Sequence, residues 1–489
     1  MRHNIRIVST YPPRRCGIGT FARDLATALA HFTGEVGTIR VAAIDREGLR
    51  YDLPVDVVIN QYDPESWADA TQAIIARASE GEHPTVVLLQ HEYGLDPDAQ
   101  GRDGEGDHFV ELAQACAKAG LMRLVYLHTV LDEPGDLQRA VLQRLACCTD
   151  GLVVTTESAI DTLVRVYGIE REKLKHIDHG IRMEHPSQYD RLTIKESLGL
   201  KRFFLATTIG MLSPDKGIQY SLEGYAQFVR EALTERQREH FVYLIAGCCH
   251  PEFVKADNGM PYREYWDLLS ETMERTGLQW CRIRALHSVD FARHDVVFLE
   301  TFLDESTLIQ LYAATDVMLL PYLNLQQISS GILADTLGSG RVAVATKFKY
   351  AVELIHSNKR WGPGMVIGRH ARGVLVDPAQ PAQIAEALDF LVFNRRRRLQ
   401  MERQAHQRGY QMRWQNSAWA ILQHVGFLHQ QKSLLIGRGV DFRRERPSVL
   451  QKKRPGTTVS EKPASRVPYD IGVTDVPRPH ERYGRTPKE

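Results

Sequence analysis

The feature of this sequence that most restricts its fold is a repeated alternation of short apolar runs with amphipathic helical segments. The apolar runs of the first half are strand candidates, at residues 5–8, 39–44, 55–59, 86–89, 124–127 and 152–155. Residues 66–78, 108–119, 137–147 and 157–167 carry apolar residues at helical spacing. Because strands joined through helices lie parallel, the alternation predicts a doubly wound α/β sheet.

The same alternation begins again near residue 203. Strands are predicted at residues 203–208, 241–246, 297–299, 317–320, 342–345 and 373–376. Helices are predicted at residues 218–231, 262–276, 306–314, 328–337, 350–355 and 384–393. Residues 277–296 look irregular, as in an insertion, and residues 395–398 look like a solvated basic turn. The pattern therefore predicts a second domain of the same Rossmann-like class.

The length of the chain agrees with two such domains. At the usual ~100–200 residues per domain, 489 residues exceed one core. We predict a first domain at residues 1–190, a second at 199–412, and a closing helix at 413–432. Residues 437–489 are rich in Pro, Arg, Lys and Ser and poor in large apolar residues, so we predict a disordered basic tail.

Composition excludes several classes of function. A formal net charge of +1 provides no field to attract nucleic acid. The absence of an apolar run of ~18 residues argues against a transmembrane helix, and the start of the chain lacks the apolar core of a signal peptide. The seven cysteines form no CxxC or zinc pattern, so we expect reduced thiols, no bound metal and a cytoplasmic location. Peripheral contact with a membrane and the oligomeric state stay open.

Polar and glycine residues follow three strands of the predicted first domain. Gly17 and Gly19 lie in the loop that opens the first helix, where a ligand can approach the backbone. His91 and Glu92 follow one strand and His128 follows the next. The carboxyl ends of parallel strands are where α/β sheets bind ligands, so we expect a site there. A tight turn and locally hydrogen-bonded histidines are the plainer alternatives.

The second domain repeats this arrangement. Lys216 lies just before a helix, where its ammonium can reach a diphosphate, although spacing alone favours a solvated loop lysine. Ser329, Ser330 and Gly331 lie in the βαβ stretch of residues 321–346 and bring hydroxyls and backbone N–H groups to a strand end. A phosphate site and an ordinary capped helix explain that stretch equally well.

The motifs together resemble family 4 of the retaining glycosyltransferases, which have the GT-B fold of two Rossmann-like domains facing a cleft. The resemblance covers roughly residues 6–427 and rests on STYPPRRCGIGTFARDL, LLQHEYG, LHTVLDEP, GMLSPDKGIQYSLE and ATDVMLLPYLN followed by QQISSG. It is closest to the branch whose C-terminal motif reads QxxSG in place of the more common Glu-rich form.

The resemblance implies a donor site for a nucleoside diphosphate sugar and no further cofactor. It implies that Lys216 neutralises the diphosphate and that the donor contacts a set of backbone and side-chain groups at Gly17, Gly19, Gly210, Ser330 and Gly331. It also implies that His128 contacts the transferred sugar near the anomeric carbon. The acceptor side would include His91 and Glu92.

Two positions depart from the family pattern. Gln327 and Asp335 occupy the two ends of the family's Glu-x7-Glu motif, where the first contacts the sugar and the second the nucleotide ribose. Met211 replaces the arginine that usually follows the glycine matching Gly210, so one positive charge at the diphosphate is missing.

The sequence therefore predicts a metal-independent hexosyltransferase that acts on a glycan, lipid or small-molecule acceptor. The alternative is a catalytically silent protein of the same fold that binds a sugar nucleotide or a glycan. A phosphorylase fits less well, because Lys216 lies in a phosphate-binding context and not in one suited to pyridoxal phosphate. A nicotinamide oxidoreductase fits worst, because neither half carries GxGxxG with an acidic residue ~20 positions on.

Overall fold

The computed structural model describes residues 1–96, 107–182, 190–249, 251–355 and 363–437. The predicted disordered tail lies outside the described residues, apart from Gly437. Residues 183–189, at the end of the predicted first domain, lie outside them as well.

In the described part of the first half, seven strands and five helices follow one another in the predicted order. Its elements are β1 (His3–Ser9), α1 (Gly17–Leu29), β2 (Val36–Asp45), β3 (Val55–Asn60), α2 (Pro64–Ser79), β4 (Thr85–His91), α3 (His108–Lys118), β5 (Met122–Leu127), α4 (Asp136–Cys148), β6 (Gly151–Val154), α5 (Glu157–Tyr167) and β7 (Leu174–His176). All seven strands pair in parallel in the order β3-β2-β1-β4-β5-β6-β7. The doubly wound sheet predicted from the apolar alternation is confirmed.

The second half forms its own sheet. Its elements are α6 (Arg191–Ser197), β8 (Phe204–Ile209), α7 (Ile218–Ala232), α8 (Glu235–Arg238), β9 (Phe241–Ala246), α9 (Pro251–Lys255), α10 (Met260–Thr276), β10 (Trp280–Ile283), β11 (Val296–Leu299), α11 (Glu305–Ala314), β12 (Val317–Leu320), α12 (Gly331–Gly338), β13 (Val342–Thr346), α13 (Lys349–Ile355), β14 (Gly373–Val376), α14 (Pro381–Phe393), α15 (Arg395–Gln411) and α16 (Trp414–Gly437). The strands are parallel in the order β10-β11-β9-β8-β12-β13-β14.

Three local predictions are wrong. Residues 277–296 are not wholly irregular, because β10 pairs with β11 as a partly buried edge strand. Residues 395–398 are the first turn of α15, where Arg397 and Arg398 donate to carbonyl groups of the preceding segments. Helix α12 begins at Gly331 and not at residue 328, because the Ser330 side chain caps it and Ile328 packs elsewhere.

The last helix connects the two halves. Helix α16 follows the second sheet in sequence, but its apolar face packs on the first sheet, where Trp414, Ile421 and Val425 share a core with strands β1, β4 and β5. Gly180 is necessary for this contact, because a Cβ at that position would overlap the Trp414 indole. The chain thus crosses between the halves a second time.

A search of the described helices finds none with the length and apolar character to cross a membrane.

Candidate functional site

Each sheet has one switch point, a pair of neighbouring strands whose crossover connections run toward opposite edges of the sheet. In the first sheet this point lies between β1 and β4, and in the second it lies between β8 and β12. Open α/β sheets bind ligands at such points, outside the carboxyl ends of the strands. The loops at these four strand ends contain most of the residues that the sequence singled out.

The loop after β8 positions Lys216 beside β12. Gly217 adopts φ 62°, and a Cβ there would overlap the carbonyl oxygen of Pro321, so the two loops approach as closely as a glycine allows. The Lys216 ammonium lies 4.0 Å from the ring centroid of Tyr322. Its nearest carboxylate, Asp215, is 3.9 Å away. A cation held over an aromatic face in this way is available to an incoming anion.

The start of α12 lies next to this lysine. The Ser330 side chain accepts a hydrogen bond from the Leu333 N–H at 3.3 Å. Burial raises the pKa of Tyr322, and nearby Lys216 and Ser330 act in the opposite direction. The N–H groups of Gly331 and Ile332, the first two of α12, have no hydrogen-bond partner among the described residues, and a Cβ at Gly331 would meet only His179, at 3.6 Å. Lys216, Ser330 and the Gly331 backbone therefore form one cradle with the character of an anion site.

The loop before α12 is fixed by contacts with both halves. The Gln327 amide donates to the carbonyl of Ser329 at 2.7 Å, and the Gln327 carbonyl accepts from the backbone of Tyr350 at 3.1 Å. Ile328 is fully buried in a core whose other members all belong to the first half. Its carbonyl accepts from the Thr155 hydroxyl at 2.5 Å. These contacts hold the loop of Gln327 against the first sheet.

Asp335 lies one turn into α12 and is engaged by the first half. Arg182 donates its backbone N–H to one Asp335 oxygen at 3.3 Å, and its guanidinium is 3.7 Å from the other. The same guanidinium donates to Asp24 of α1 at 2.8 Å. Burial raises the pKa of Asp335 to about 6, against the opposing effect of Arg182. A ribose at this carboxylate would have to share it with Arg182.

The first half presents the start of α1 to the cleft. Gly17 is the first residue of α1, and a Cβ there would meet open space. Gly19 packs closely, because its Cβ would lie 3.3 Å from the backbone nitrogen of Tyr11. Cys16, at the cap position, makes no side-chain cap hydrogen bond, so the first N–H groups of α1 have no side-chain partner among the described residues.

His128 belongs to a group of rings around Phe21. The Phe21 centroid lies 4.9 Å from that of His128, 5.1 Å from His179 and 4.8 Å from Trp414. His128 Nε2 lies 2.7 Å from the Gln90 amide oxygen, which can only accept, so Nε2 carries the proton and Nδ1 is the acceptor. Burial, with smaller effects of His179 and His91, lowers the pKa of His128 to about 3. His128 is thus neutral at pH 7.

This buried histidine predicts a particular pH dependence of stability. A lowered pKa gives stability that is present above the unfolded value of about 6.5 and lost as the pH falls toward the folded value. Between pH 6.5 and pH 5, the free energy of unfolding of the wild type should fall by about 2 kcal/mol more than that of His128→Asn. Urea titrations at several pH values measure this difference. If the free energies of unfolding of wild type and His128→Asn changed with pH by the same amount, the assignment of His128 as a buried neutral histidine would be contradicted.

His91 and Glu92 are adjacent in the sequence but differ in their surroundings. His91 is fully buried between Tyr93 and Phe109, on the face of the first sheet that α3 covers. Burial lowers its pKa to about 4. Glu92 accepts from the Thr129 hydroxyl at 2.6 Å and from the Tyr93 N–H at 3.0 Å, beside His128. Glu92 therefore lies at the edge of the cleft, whereas His91 lies behind Glu92, under α3 and away from the cleft.

The sequence analysis missed the residues that join the two halves. Glu353 of α13 accepts hydrogen bonds from the first two backbone N–H groups of α5, at Glu157 (2.9 Å) and Ser158 (2.8 Å). Lys349, one turn earlier, pairs with Asp132 at 2.6 Å. A carboxylate at the start of a helix and an ion pair both stabilise the contact. The residues in these contacts are about 200 positions apart, so no local pattern in the sequence indicates them. His179 lies just after β7, in the sequence His-Gly-Ile at residues 179–181, and this position after a strand could have identified it.

The α13 contact leads to a second prediction. Glu353→Gln replaces one acceptor oxygen by an amide group, so one N–H group of α5 loses its partner. The free energy of unfolding should fall by about 1–2 kcal/mol, and the amides of Glu157 and Ser158 should exchange faster with deuterium. The exposed Glu386→Gln change on α14 is the matched control. Unchanged exchange at both amides would show that the two halves separate freely in solution.

Comparison with known proteins gives no family by sequence. No protein-family model and no curated protein sequence matches the chain. Solved structures do match it along most of its length. The Alr3699/HepE protein of Anabaena, in complex with UDP and glucose, superposes with a TM-score of 0.60 at 14% identity, over 86% of this chain and 99% of that one.

Two further similar structures are enzymes of sugar metabolism. The sucrose-phosphate synthase of Thermosynechococcus elongatus has a TM-score of 0.60 at 13% identity, over 88% of this chain and 100% of that one. A UDP-forming α,α-trehalose-phosphate synthase of Burkholderia xenovorans, in complex with glucose-6-phosphate, has a TM-score of 0.59 at 14% identity. The match covers 87% of this chain and 100% of that one. With the two parallel seven-stranded sheets described above, these similarities show that the chain has the GT-B fold that its motifs predicted.

Proposed function

We propose that this protein is a retaining glycosyltransferase that moves a hexose from a nucleoside diphosphate sugar to an acceptor, without a metal ion. One observation carries the proposal: Lys216 and the open starts of α12 and α1 lie at the two switch points, on loops that the Ile328 contact holds against each other. Each of these groups favours a phosphate. A diphosphate between the halves would meet all three.

The chemical problem in this reaction is the charge of the departing diphosphate. The C–O bond between the sugar and the phosphate breaks, and negative charge collects on the leaving oxygen. Lys216 and the N–H groups after Ser330 would stabilise that charge, and the Lys216 ammonium is already held over the Tyr322 ring. Lys216 therefore acts in this proposal as the main electrostatic catalyst.

Two neutral side chains would orient the sugar. His128 has its Nε2–H engaged by Gln90, so its free Nδ1 can accept a hydrogen bond from a sugar hydroxyl. Gln327 can donate and accept but carries no charge. Neither is a carboxylate, the group that usually serves as the nucleophile in a covalent route to retention. We therefore infer front-face transfer, in which the acceptor oxygen bonds to the anomeric carbon and its proton passes to the leaving phosphate oxygen.

The similar structures suggest which substrates to test. The Anabaena protein binds UDP and glucose, and the Burkholderia protein binds glucose-6-phosphate. We propose a UDP-hexose as the first donor to test and a sugar or sugar phosphate as the first acceptor, with a lipid acceptor as the alternative. Membership of family 4 and a cytoplasmic location are part of the same proposal and rest on the motifs and the composition.

A silent binding protein is the second candidate. It is favoured by the pairing of Asp335 with Arg182, which occupies the expected ribose contact, and by Met211, where a cation is missing. Such a protein would bind a sugar nucleotide and not turn it over.

A donor screen separates the two candidates. UDP-glucose, GDP-mannose, ADP-glucose and UDP-N-acetylglucosamine are each incubated with the protein, with and without EDTA, and binding and release of the nucleotide are measured. If the nucleotide is released from one donor and EDTA does not reduce that release, the result supports the transferase. Binding without release, also in the presence of glucose and glucose-6-phosphate, supports the silent protein. Failure of all four donors to bind would overturn the donor site.

A further inference from the structure

Arg182 bridges two carboxylates that belong to different halves of the chain. Its Nε donates to Asp24 of α1 at 2.8 Å, and its backbone N–H donates to one oxygen of Asp335 of α12 at 3.3 Å. The guanidinium lies 3.7 Å from the other Asp335 oxygen. All three side chains are less than one-fifth exposed. The proposed reaction assigns no role to Arg182, although Arg182 is in direct contact with Asp335.

The contact with α1 fixes the position of Arg182. Asp24 accepts from Arg182 through one oxygen and from the Arg23 guanidinium through the other, at 2.6 and 2.9 Å. Arg23 also lies 3.0 Å from Glu305 at the start of α11. Opposite charges therefore alternate from α11 through α1 to α12. Because both oxygens of Asp24 are already hydrogen-bonded, Asp24 is better suited to hold Arg182 than to bind a ligand.

Asp335 retains one oxygen for a ligand. This oxygen accepts no hydrogen bond within the described ranges, because the Arg182 guanidinium is 3.7 Å away. A pocket of about 10 Å³ beside the carboxylate, lined also by Tyr312, is close to the room of one water molecule and suits a hydroxyl group. Asp335 lies four residues, roughly 6 Å, beyond the start of α12. In a nucleoside diphosphate the ribose is joined directly to the diphosphate, so a ribose hydroxyl fits this position.

The charge of Asp335 depends on Arg182. Burial raises the pKa of Asp335, Asp24 and Glu305 raise it further, and the guanidinium and backbone N–H of Arg182 lower it. The ionisable groups around the carboxylate come from four segments: Arg182 and His179 after β7, Arg23 and Asp24 in α1, Glu305 and Tyr312 in α11, and Tyr350 in α13. Helix α15 packs on α12 through Gly409, which carries no charge. Arg182 is the cation of this set that contacts the carboxylate.

We propose that Arg182 is a positioning residue that holds Asp335 as an oriented anion for a ribose hydroxyl of the donor nucleotide. This role rests on the proposed function, because it needs a nucleoside diphosphate at the start of α12. An ionised carboxylate only accepts hydrogen bonds, and it accepts them more strongly than a protonated one. Because Asp24 holds Arg182, α1 of the first half contributes to the recognition of a nucleotide bound on the second half.

Binding of UDP and of 2′,3′-dideoxy-UDP at several pH values, measured by calorimetry, tests this role. The two ligands share the base and the diphosphate, so the ratio of their dissociation constants isolates the ribose hydroxyls. The wild type should prefer UDP, and this preference should be lost as the pH falls through about 6, where Asp335 takes up a proton. In Arg182→Gln the preference should be about tenfold smaller at pH 7. Its loss should begin about one to three pH units higher, because the opposing cation is gone.

Three further variants separate this role from a structural one. Arg182→Lys keeps the charge and should restore part of the preference. Asp24→Asn removes a carboxylate that raises the pKa of Asp335, so the midpoint should move to lower pH, opposite to its movement in Arg182→Gln. Arg230→Gln changes an exposed arginine of α7 and should match wild type.

The outcomes also separate this role from the proposed function. If Arg182→Gln weakened UDP and dideoxy-UDP equally, or left the pH midpoint unchanged, Arg182 would not act through Asp335, and the proposal would be overturned while the donor site stood. Equal affinity of the wild type for the two ligands at pH 8 would overturn it as well. Failure of UDP, ADP and GDP to bind at all would overturn the donor site and this role with it.

Discussion

Lys216→Ala should lower kcat/KM for the donor by about 10²–10³-fold, the usual effect of removing one preorganised charge from a developing anion. The ammonium is fixed over Tyr322 and has only Asp215, at 3.9 Å, as a competing partner. Its loss leaves the N–H groups of α12 as the remaining stabilisation of the diphosphate in the second half. Steady-state kinetics with the donor that the screen identifies measure the effect.

Two comparisons make this result specific to the charge. Lys201→Ala removes an exposed lysine that pairs with Glu196, and its kinetics should match wild type. Lys216→Arg keeps a cation and should recover part of the activity. If Lys216→Ala retained wild-type kcat/KM, the diphosphate would bind elsewhere and the donor site would have to be reassigned.

Gly217→Ala should destabilise the protein by about 3 kcal/mol. The residue adopts φ 62°, where an L-residue costs about 1 kcal/mol or more. Its new Cβ would in addition overlap the Pro321 carbonyl oxygen, and that backbone cannot move without displacing the Lys216 and Tyr322 loops. Urea unfolding measures the change, and donor affinity should fall with it.

Gly168→Ala separates the two costs. Gly168 ends α5 with φ 66°, close to the value at Gly217, but a Cβ there would meet nothing within 4 Å. This variant should therefore lose only the conformational part, about 1 kcal/mol. Equal losses of stability in the two variants would mean that the β8 and β12 loops can move apart to admit the added Cβ without further cost.

The fold was predictable because its signals are local. The apolar runs and helical spacing predicted the parallel sheets, and helix α5 and strand β14 begin and end at the residues expected from the sequence. The failures have local causes as well. Strand β10 is a four-residue edge strand with a weak apolar pattern. Four consecutive arginines begin α15, and such a run resembles a solvated turn although arginine is a good helix former.

The site was predictable only in part, because its groups come from two halves. Glycine loops and strand ends marked Gly17, Lys216 and Ser330 in the sequence. No pattern marked Arg182, which pairs with Asp24 on one side and with Asp335 on the other. Nor could spacing show that His91 turns away into the α3 layer. Contacts of this kind depend on tertiary packing, which a single sequence does not display.

The burial of Ile328 in the core of the first half would make recognition of the proposed donor a linked equilibrium. An isoleucine side chain contributes about 1.5–3 kcal/mol when it is fully buried. If the halves separate, that contribution is lost and the loop of Gln327 no longer has its anchor. A ligand that requires this loop in its anchored shape binds the joined state more tightly, so its binding favours closure and closure raises its affinity by the same factor. The second half alone would therefore contain the cradle and yet hold its ligand more weakly.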